Sequence, residues 1–274
     1  MLVIGGGALQ DMAGYAAATT HRGLRVIRVP TTVASQNDSV VGVKNAINAF
    51  HVKNFLGTFS PPFAVINDIA FLDTLSQRDR IAGTSEAVKV ALIRDADFFE
   101  WLCAHADALA SFEPQATATM IRRSAQLHLR HIAGCGDPFE YGNAKPLDFG
   151  HWAAHKLETL TEYELRHGEA VAIGIALDSR YAVEMGLLQE RDLARICPLL
   201  ERLGLVLWHD ALGERDATGR LWILDGLAEF REHLGGMLTL TMLEAIGSAV
   251  DVHQVDEPSM ERAIDWLRSR QAAR

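Results

Sequence analysis

The sequence predicts an α/β plus α chain: a small α/β part over residues 1–72, then an all-α, metal-binding part over residues 73–274, with the boundary near Asp73. Three observations carry this. Short β-rich runs (LVIGG, LRVIRVPTT, FAVIND) separated by Gly and Pro turns fill the first part. From about residue 78 onward, apolar residues recur at three- and four-residue spacing almost throughout. His151, His155 and His167 then fall within one run, DFGHWAAHKLETLTEYELRHGEAV.

The opening, MLVIGGGALQDMAGYAAA, reads as a short apolar strand, three glycines and a helix start. Glycines at such a turn let the backbone approach an anion, and the N-terminus of the next helix presents free N–H groups to phosphate. The run lacks GxGxxG spacing, so taken alone it fits a simple tight turn as well as a phosphate or dinucleotide loop. Further helices are predicted over 78–93, 96–108, 114–132, 150–159, 167–185, 189–203 and 258–271. No internal repeat or low-complexity segment interrupts them, apart from an Ala/Arg-rich tail expected to fray.

If the segment from residue 150 is helical, His151, His155 and Glu158 share one face, because i, i+4 and i+7 positions line up on a helix of 3.6 residues per turn. His167 then closes the site from the next helix. HWAAH lacks the Glu of HExxH, which argues against a zincin protease. Between the glycines and the histidines lies a polar constellation. RVPTTVASQNDSVVGVKNAI holds Asp38 and Lys44, HVKNFLGTF holds Lys53 and Asn54, and GTSEAVKVALIRD sets Glu86 and Lys89 one helical turn apart. A carboxylate with two imidazoles makes the donor set of a catalytic zinc with an open position. Each piece also has a plainer reading: an exposed i, i+3 ion pair for Glu86 and Lys89, solvated histidines, turn residues for Asp38 and Lys44. Their joint occurrence in one order favours an enzyme with a site in a cleft.

Composition sets the bounds. The chain has 274 residues, 49% hydrophobic and 22% charged, enough for one large core or two domains. A net charge of −9 argues against nucleic acid as a partner. Cys103, Cys135 and Cys197 show no CxxC pairing, which fits a reducing compartment. No secretory pattern and no apolar run of about eighteen residues is present, so neither signal peptide nor membrane span is expected, and the cytoplasm is the expected location.

The segments GGGALQDMAGYAAATTHRG, VPTTVASQNDSVVGVK, KNFLGTFSPP, FLDTL, GTSEAVKVALIRD, LDFGHWAAHKLE and LRHGEAVAIG together resemble the dehydroquinate synthase-like sugar phosphate cyclases, from residue 1 to about 185. The resemblance implies a partial Rossmann-like, NAD-binding domain followed by a helical domain that holds metal and substrate. It implies Glu86, His151 and His167 as ligands of zinc or cobalt, with His155 near the substrate phosphate. Asp38, Lys44, Asn54 and Lys89 are implied to contact substrate, with Lys53 beside Asn54 expected to join them, and Arg22 is implied to reach a phosphate across a homodimer interface. Gly5, Gly6, Gly7, Asp11, Thr31 and Thr32 are implied to touch NAD. The implied reaction eliminates phosphate from a sugar phosphate and closes a carbocycle by an intramolecular aldol step, using NAD without net consumption.

Departures from the family pattern gather on substrate-recognition positions. Arg130 stands for a lysine, Ala144 for an arginine with Lys145 beside it, and Asp148 for the asparagine of LNxGH. The DKK-type segment near the C-terminus is replaced by EFREHLGG, where Arg231 and His233 are the expected substitutes. An added carboxylate at Asp148 opposes an anionic group, so the expected substrate differs from the seven-carbon 2-keto acid phosphate and lacks its carboxylate. Dehydroquinate synthase activity stays open, because Arg130 and Lys145 are able to bind a carboxylate. Family members begin with further βα units, so roughly 80–100 residues of nucleotide-binding domain are expected to be missing, through a late-assigned start or a fragmentary chain. Such a chain is expected to expose apolar sheet edges and to bind NAD poorly. Two other classes remain: the related metal-dependent alcohol or glycerol dehydrogenases, and a non-catalytic homologue.

Overall fold

The structure, a computed structural model, describes residues 1–50, 52–134, 146–233 and 236–273. In chain order its elements are β1 (Leu2–Gly5), α1 (Gly7–Thr19), β2 (Ile27–Pro30), β3 (Lys44–Ala49), β4 (Val52–Phe59), β5 (Ala64–Val65), α2 (Gln77–Ala82), α3 (Thr84–Arg94), α4 (Ala96–Ala104), α5 (Ala106–Ala110) and α6 (Pro114–Gly134). They continue with α7 (His151–Leu160), α8 (His167–Glu184), α9 (Glu190–Arg202), α10 (Asp225–His233), β6 (Leu240–Ala245), β7 (Ser248–Val252) and α11 (Glu257–Ala272). They fall into two compact units, Met1–Ala87 with Phe112–Tyr141, and Val88–Ser111 with Gly142–Arg274.

In the first unit, β1, β2 and β5 form a parallel sheet in the order β1-β2-β5, with Leu2 opposite Ile27, Gly5 opposite Pro30 and Ile27 opposite Ala64. Parallel pairing requires a crossover, and α1 supplies it, packing Ala17 against Val3 and Val26. Strands of a parallel sheet are normally covered on both faces, yet Leu2 is 60% and Ile4 49% exposed on the edge strand β1. The buried Arg28 of β2 pins the chain that leads into the antiparallel hairpin β3–β4. Its Nη1 donates to the Val40 and Gly42 carbonyls at 3.1 and 3.0 Å, and its Nη2 donates to Asn45 Oδ1. Burial lowers the Arg28 pKa, and the Asp11 carboxylate partly offsets this. A Cβ on Gly14 would stand 1.8 Å from Asn45 Oδ1, so α1 passes β3 this closely only because residue 14 lacks a side chain.

The predicted helix over 78–93 divides into α2 and α3 at Gly83. A Cβ there would lie 2.5 Å from the Ala34 N and from Val33 Cβ, and the Gly83 carbonyl accepts from Asn37 Nδ2 at 2.9 Å, so packing takes the place of helix continuation.

In the second unit α8 is buried along most of its length and α7 folds back against it as an antiparallel pair. Gly150 (φ +77°) precedes α7, and a Cβ on Gly174 would fall 1.9 Å from the Gly150 carbonyl oxygen, so the two backbones touch. α11 is tied to α9 by a forked pair of bonds from Arg270 to Glu201, both 2.8 Å. The predicted helix over 96–108 breaks at His105, whose Nδ1 lies 2.8 Å from the Trp101 carbonyl while its ring stacks on Trp101 at 4.3 Å. That local bond competes with the helical ladder. The hairpin β6–β7, which turns through Gly247 (φ +88°) and buries Leu240, Met242 and Leu243, interrupts the helical run of this unit, and α10 precedes it. Among the described residues no helix is long and apolar enough to cross a membrane.

Candidate metal centre

His151 is the first residue of α7 and His155 stands one turn on. His167 is the first residue of α8, whose start is fixed by the Arg166 N–H donating to Glu169 Oε2 at 2.8 Å. The three imidazoles form one group. Ring centroids lie 5.6 Å apart for His151 and His155, 5.4 Å for His151 and His167, and 6.1 Å for His155 and His167.

Glu86 stands in the first turn of α3, an unbroken helix that from Val88 onward belongs to the unit of α7 and α8. Glu86 is 2% and Lys89 1% exposed, which removes the reading of these two as a solvated surface ion pair. Ligand atoms of Glu86, His151 and His167 all lie within 4.8 Å of one another. The same spacing holds for His155, Glu158 and His167.

His151 Nδ1 lies 3.0 Å from the Phe149 carbonyl, which requires the proton on Nδ1 and leaves Nε2 as the ligand atom. Glu158 Oε2 lies 3.3 Å from His167 Nδ1, and Glu158 is itself buried. Glu158 thus stands beside His167 as a nearby buried carboxylate, and the two sets share His167. Glu86, His151 and His167 then supply one hard carboxylate oxygen and two imidazole nitrogens, a donor set suited to Zn²⁺ or Co²⁺ with an open position.

The expected NAD residues gather at the carboxyl ends of β1 and β2, where ligands bind in open α/β sheets. The Thr31 N–H donates to the Gly5 carbonyl at 3.0 Å, and a Cβ on Gly6 would meet Thr32 Cγ2 at 3.1 Å. Gly6 is the N-cap of α1 and brings no side-chain cap, so the first N–H groups of that helix are left for an anion. Thr32 is already engaged, its hydroxyl 2.6 Å from Ser35 Oγ. Asp11 lies one turn into α1.

The expected substrate residues are more dispersed. Asp38 sits in a single turn of π-helix, Ser35–Ser39, partly buried. Lys44 begins β3 opposite Phe59, whereas Lys53 and Asn54 lie at the other end of the hairpin, near the Ala49 and Val52 pair. Five residues of strand, roughly 17 Å, separate Asn54 from the partner of Lys44. Arg22 follows α1 at φ +106°, exposed, and Arg130 on α6 and Arg231 on α10 are exposed as well. Asp148 is partly buried in a short 3-10 turn ahead of α7. Lys145 and the side chain of His233 lie outside the described residues.

Two residues at these positions escaped sequence reasoning. His128 of α6 sets its Nδ1 2.8 Å from Asp38 Oδ1. Asp178 of α8 accepts from the Gly150 N–H at 3.0 Å and from Trp152 Nε1 at 2.8 Å. Both contacts are distant in sequence, and no local spacing signals them.

Residues 1–82 match the family described as 3-dehydroquinate synthase N-terminal, and residues 83–222 the family described as 3-dehydroquinate synthase C-terminal. The chain is 40% identical over 258 residues to 3-dehydroquinate synthase of Halorhodospira halophila, covering 91% of this chain and 69% of that protein. Among solved structures it is similar to 2-epi-5-epi-valiolone synthase from Streptomyces hygroscopicus subsp. jinggangensis with NAD⁺ and Zn²⁺ bound, at 33% identity and a TM-score of 0.89, over 98% of this chain and 73% of that one. It is also similar to 2-deoxy-scyllo-inosose synthase complexed with carbaglucose-6-phosphate, NAD⁺ and Co²⁺, at 26% identity and a TM-score of 0.82, over 96% and 72% of the two chains.

Proposed function

From the premise that this chain belongs to the 3-dehydroquinate synthase family, matched over residues 1–222, we propose that it is a sugar phosphate cyclase, a carbon–oxygen lyase acting on phosphates. The observation that carries the reading is the approach of Glu86, His151 and His167 ligand atoms to within 4.8 Å, with the buried Lys89 one turn beyond Glu86. When bound, a divalent zinc or cobalt ion supplies Lewis-acid polarisation and NAD supplies a hydride acceptor that is regenerated within the cycle.

The chain's own residues account for the rest. Glu86, His151 and His167 would hold the metal, with the Phe149 carbonyl keeping Nε2 of His151 toward it. His155, in the same group of rings, bonds the departing phosphate and donates a proton to it as its C–O bond breaks. Lys89 and Lys44 bind anionic oxygens and Asp38 binds ring hydroxyls, while Lys53 and Asn54 reach the substrate from the other end of the β3–β4 hairpin. Gly5, Gly6 and Gly7 open α1 toward the pyrophosphate of NAD. Arg22, exposed on its turn, serves the site of a second copy in a cytoplasmic homodimer.

The substrate follows from charge. Asp148, three residues ahead of His151, adds a negative charge where a 2-keto acid would bring its carboxylate, so the favoured substrate is a sugar phosphate with a neutral head. The 40% identity to a 3-dehydroquinate synthase supports the other reading, turnover of the seven-carbon 2-keto acid phosphate. Phosphate release is measured with NAD⁺ and Zn²⁺ on the keto acid and on sedoheptulose 7-phosphate in parallel. Release only from the sugar supports the neutral-headed substrate, release from the keto acid makes this a dehydroquinate synthase, and release from neither, by protein shown to bind NAD⁺ and Zn²⁺, sinks both substrate readings.

A further inference from the structure

We propose that Asp178 is a positioning residue for the metal centre, holding the first turn of α7 so that His151 meets His167 across the α7–α8 pair. The inference rests on the reading of His151 and His167 as ligands.

The placement of α7 is demanding. Its N-cap is Gly150, left-handed at φ +77°, and this residue brings no capping side chain. A helix start without a side-chain cap has unsatisfied N–H groups and a poorly fixed entry angle. Here the missing partner comes from the neighbouring helix. One oxygen of Asp178 accepts the Gly150 N–H at 3.0 Å and the other accepts Trp152 Nε1–H at 2.8 Å. A single carboxyl group therefore grips the residue before His151 and the residue after it. Trp152 and Asp178 are each 1% exposed, so these bonds face no competition from water.

The pattern on α8 fits the same purpose. His167, Gly174 and Asp178 are spaced i, i+7 and i+11, within about 20° of one stripe of a helix with 3.6 residues per turn. That stripe carries a ligand, then the notch that admits the Gly150 carbonyl, then the anchor for the Gly150 N–H. The notch sets how closely α7 approaches, and the anchor sets its rotation and register. His151 Nδ1 is fixed to the Phe149 carbonyl in the same turn, so a shift of that turn moves the whole imidazole relative to His167, whose ring lies 5.4 Å away. Apolar packing at residue 178 would fill the space without specifying where the α7 start lies.

The test is Co²⁺ binding to the full chain after chelator treatment, by competition with a chromophoric chelator and by the Co²⁺ visible spectrum. Wild type, Trp152→Phe, Asp178→Asn and His151→Ala are compared. Trp152→Phe keeps the ring volume and deletes one of the two bonds. Asp178→Asn keeps one acceptor oxygen and turns an N–H₂ toward the other donor. Both should bind Co²⁺ with affinity 10- to 100-fold below wild type and with an altered spectrum, the range for loss of a group that orients a metal ligand. If either variant fails to fold, the other decides. Wild-type affinity and an unchanged spectrum in a folded variant overturn the proposal. Failure of the underlying reading looks different: wild type and His151→Ala would then bind Co²⁺ alike, and no metal site would exist for Asp178 to position.

Discussion

His128 Nδ1 lies 2.8 Å from Asp38 Oδ1, joining α6 to the π-helical turn that precedes β3. The same ring borders Gly42, where a Cβ would stand 3.5 Å from His128 Nε2. Asp38 is among the residues proposed to bind ring hydroxyls, and the imidazole packed 2.8 Å away restricts where its carboxylate can lie. His128→Ala should lower kcat/KM for phosphate release by about tenfold or more, while His128→Asn, whose amide N–H₂ reaches the same oxygen, should recover most of it. Equal kcat/KM in His128→Ala and wild type would show that Asp38 needs no such partner.

Glu86 is the anionic member of the proposed ligand set, buried on α3. Glu86→Gln preserves shape and removes the charge. Metal affinity should fall by more than about 100-fold, beyond the effect of a backing group. Wild type should gain about 2.7 kcal/mol of stability at a hundredfold excess of Zn²⁺ over its Kd, and the variant little at the same concentration. Melting curves with and without Zn²⁺ check this, and an equal rise in both proteins would remove Glu86 from the ligand set.

Asp178 also makes stability depend on pH in an unusual direction. Burial, opposed by bonds from Trp152 and Gly150, pushes its carboxyl up from 3.8 to about 7. Between those values the folded chain holds a proton that the unfolded chain has released. The resulting stabilisation is fully present below about pH 4 and is lost as pH rises through 7, on the order of 4 kcal/mol in all. Asp178→Asn, with nothing to titrate there, lacks this slope. Denaturant unfolding of chelator-treated protein should therefore show a wild-type advantage over Asp178→Asn that shrinks from pH 5 to pH 8. A gap that stays constant across that range would mean that residue 178 keeps its charge throughout.

These residues also mark what the sequence makes legible. Glu86 with Lys89 and His151 with His155 and Glu158 stand at helical spacing, so their shared faces follow from local periodicity. His167 opens the next helix, and a short connection keeps the two helices adjacent. Helices α6, α8, α9 and α11 are legible from their apolar spacing within a few residues at each end. His128 and Asp178 are not, because each acts on a partner far along the chain, and a buried Asp inside IGIALDSRY reads locally as the polar edge of an apolar helix. The breaks at Gly83 and His105 depend on close packing and on a side-chain bond that periodicity does not encode. The hairpin β6–β7 is short, and its run TLTMLEAIGSAV alternates too briefly to override the surrounding helical pattern.

Gly174 offers the most severe single test of the α7–α8 arrangement. Alanine normally favours a helix interior by about 1 kcal/mol over glycine, so on propensity alone Gly174→Ala should stabilise the chain. Here the new Cβ would lie 1.9 Å from the Gly150 carbonyl oxygen, 2.8 Å from its carbon and 3.1 Å from its Cα, and every one of these atoms is backbone. No rotamer change relieves the clash, so α7 must move away. Overpacking of this kind costs roughly 1–3 kcal/mol and exceeds the propensity gain. Gly134, at the end of α6, is the matched control, because a Cβ there meets nothing within 4 Å. Thermal unfolding should place Gly174→Ala below wild type and Gly134→Ala at or slightly above it. Only the Gly174 variant should also weaken Co²⁺ binding, since displacing Gly150 displaces His151. A Gly174→Ala protein as stable as wild type, with the same Co²⁺ affinity, would mean that the close approach of the two helices is not what sets the geometry of the site.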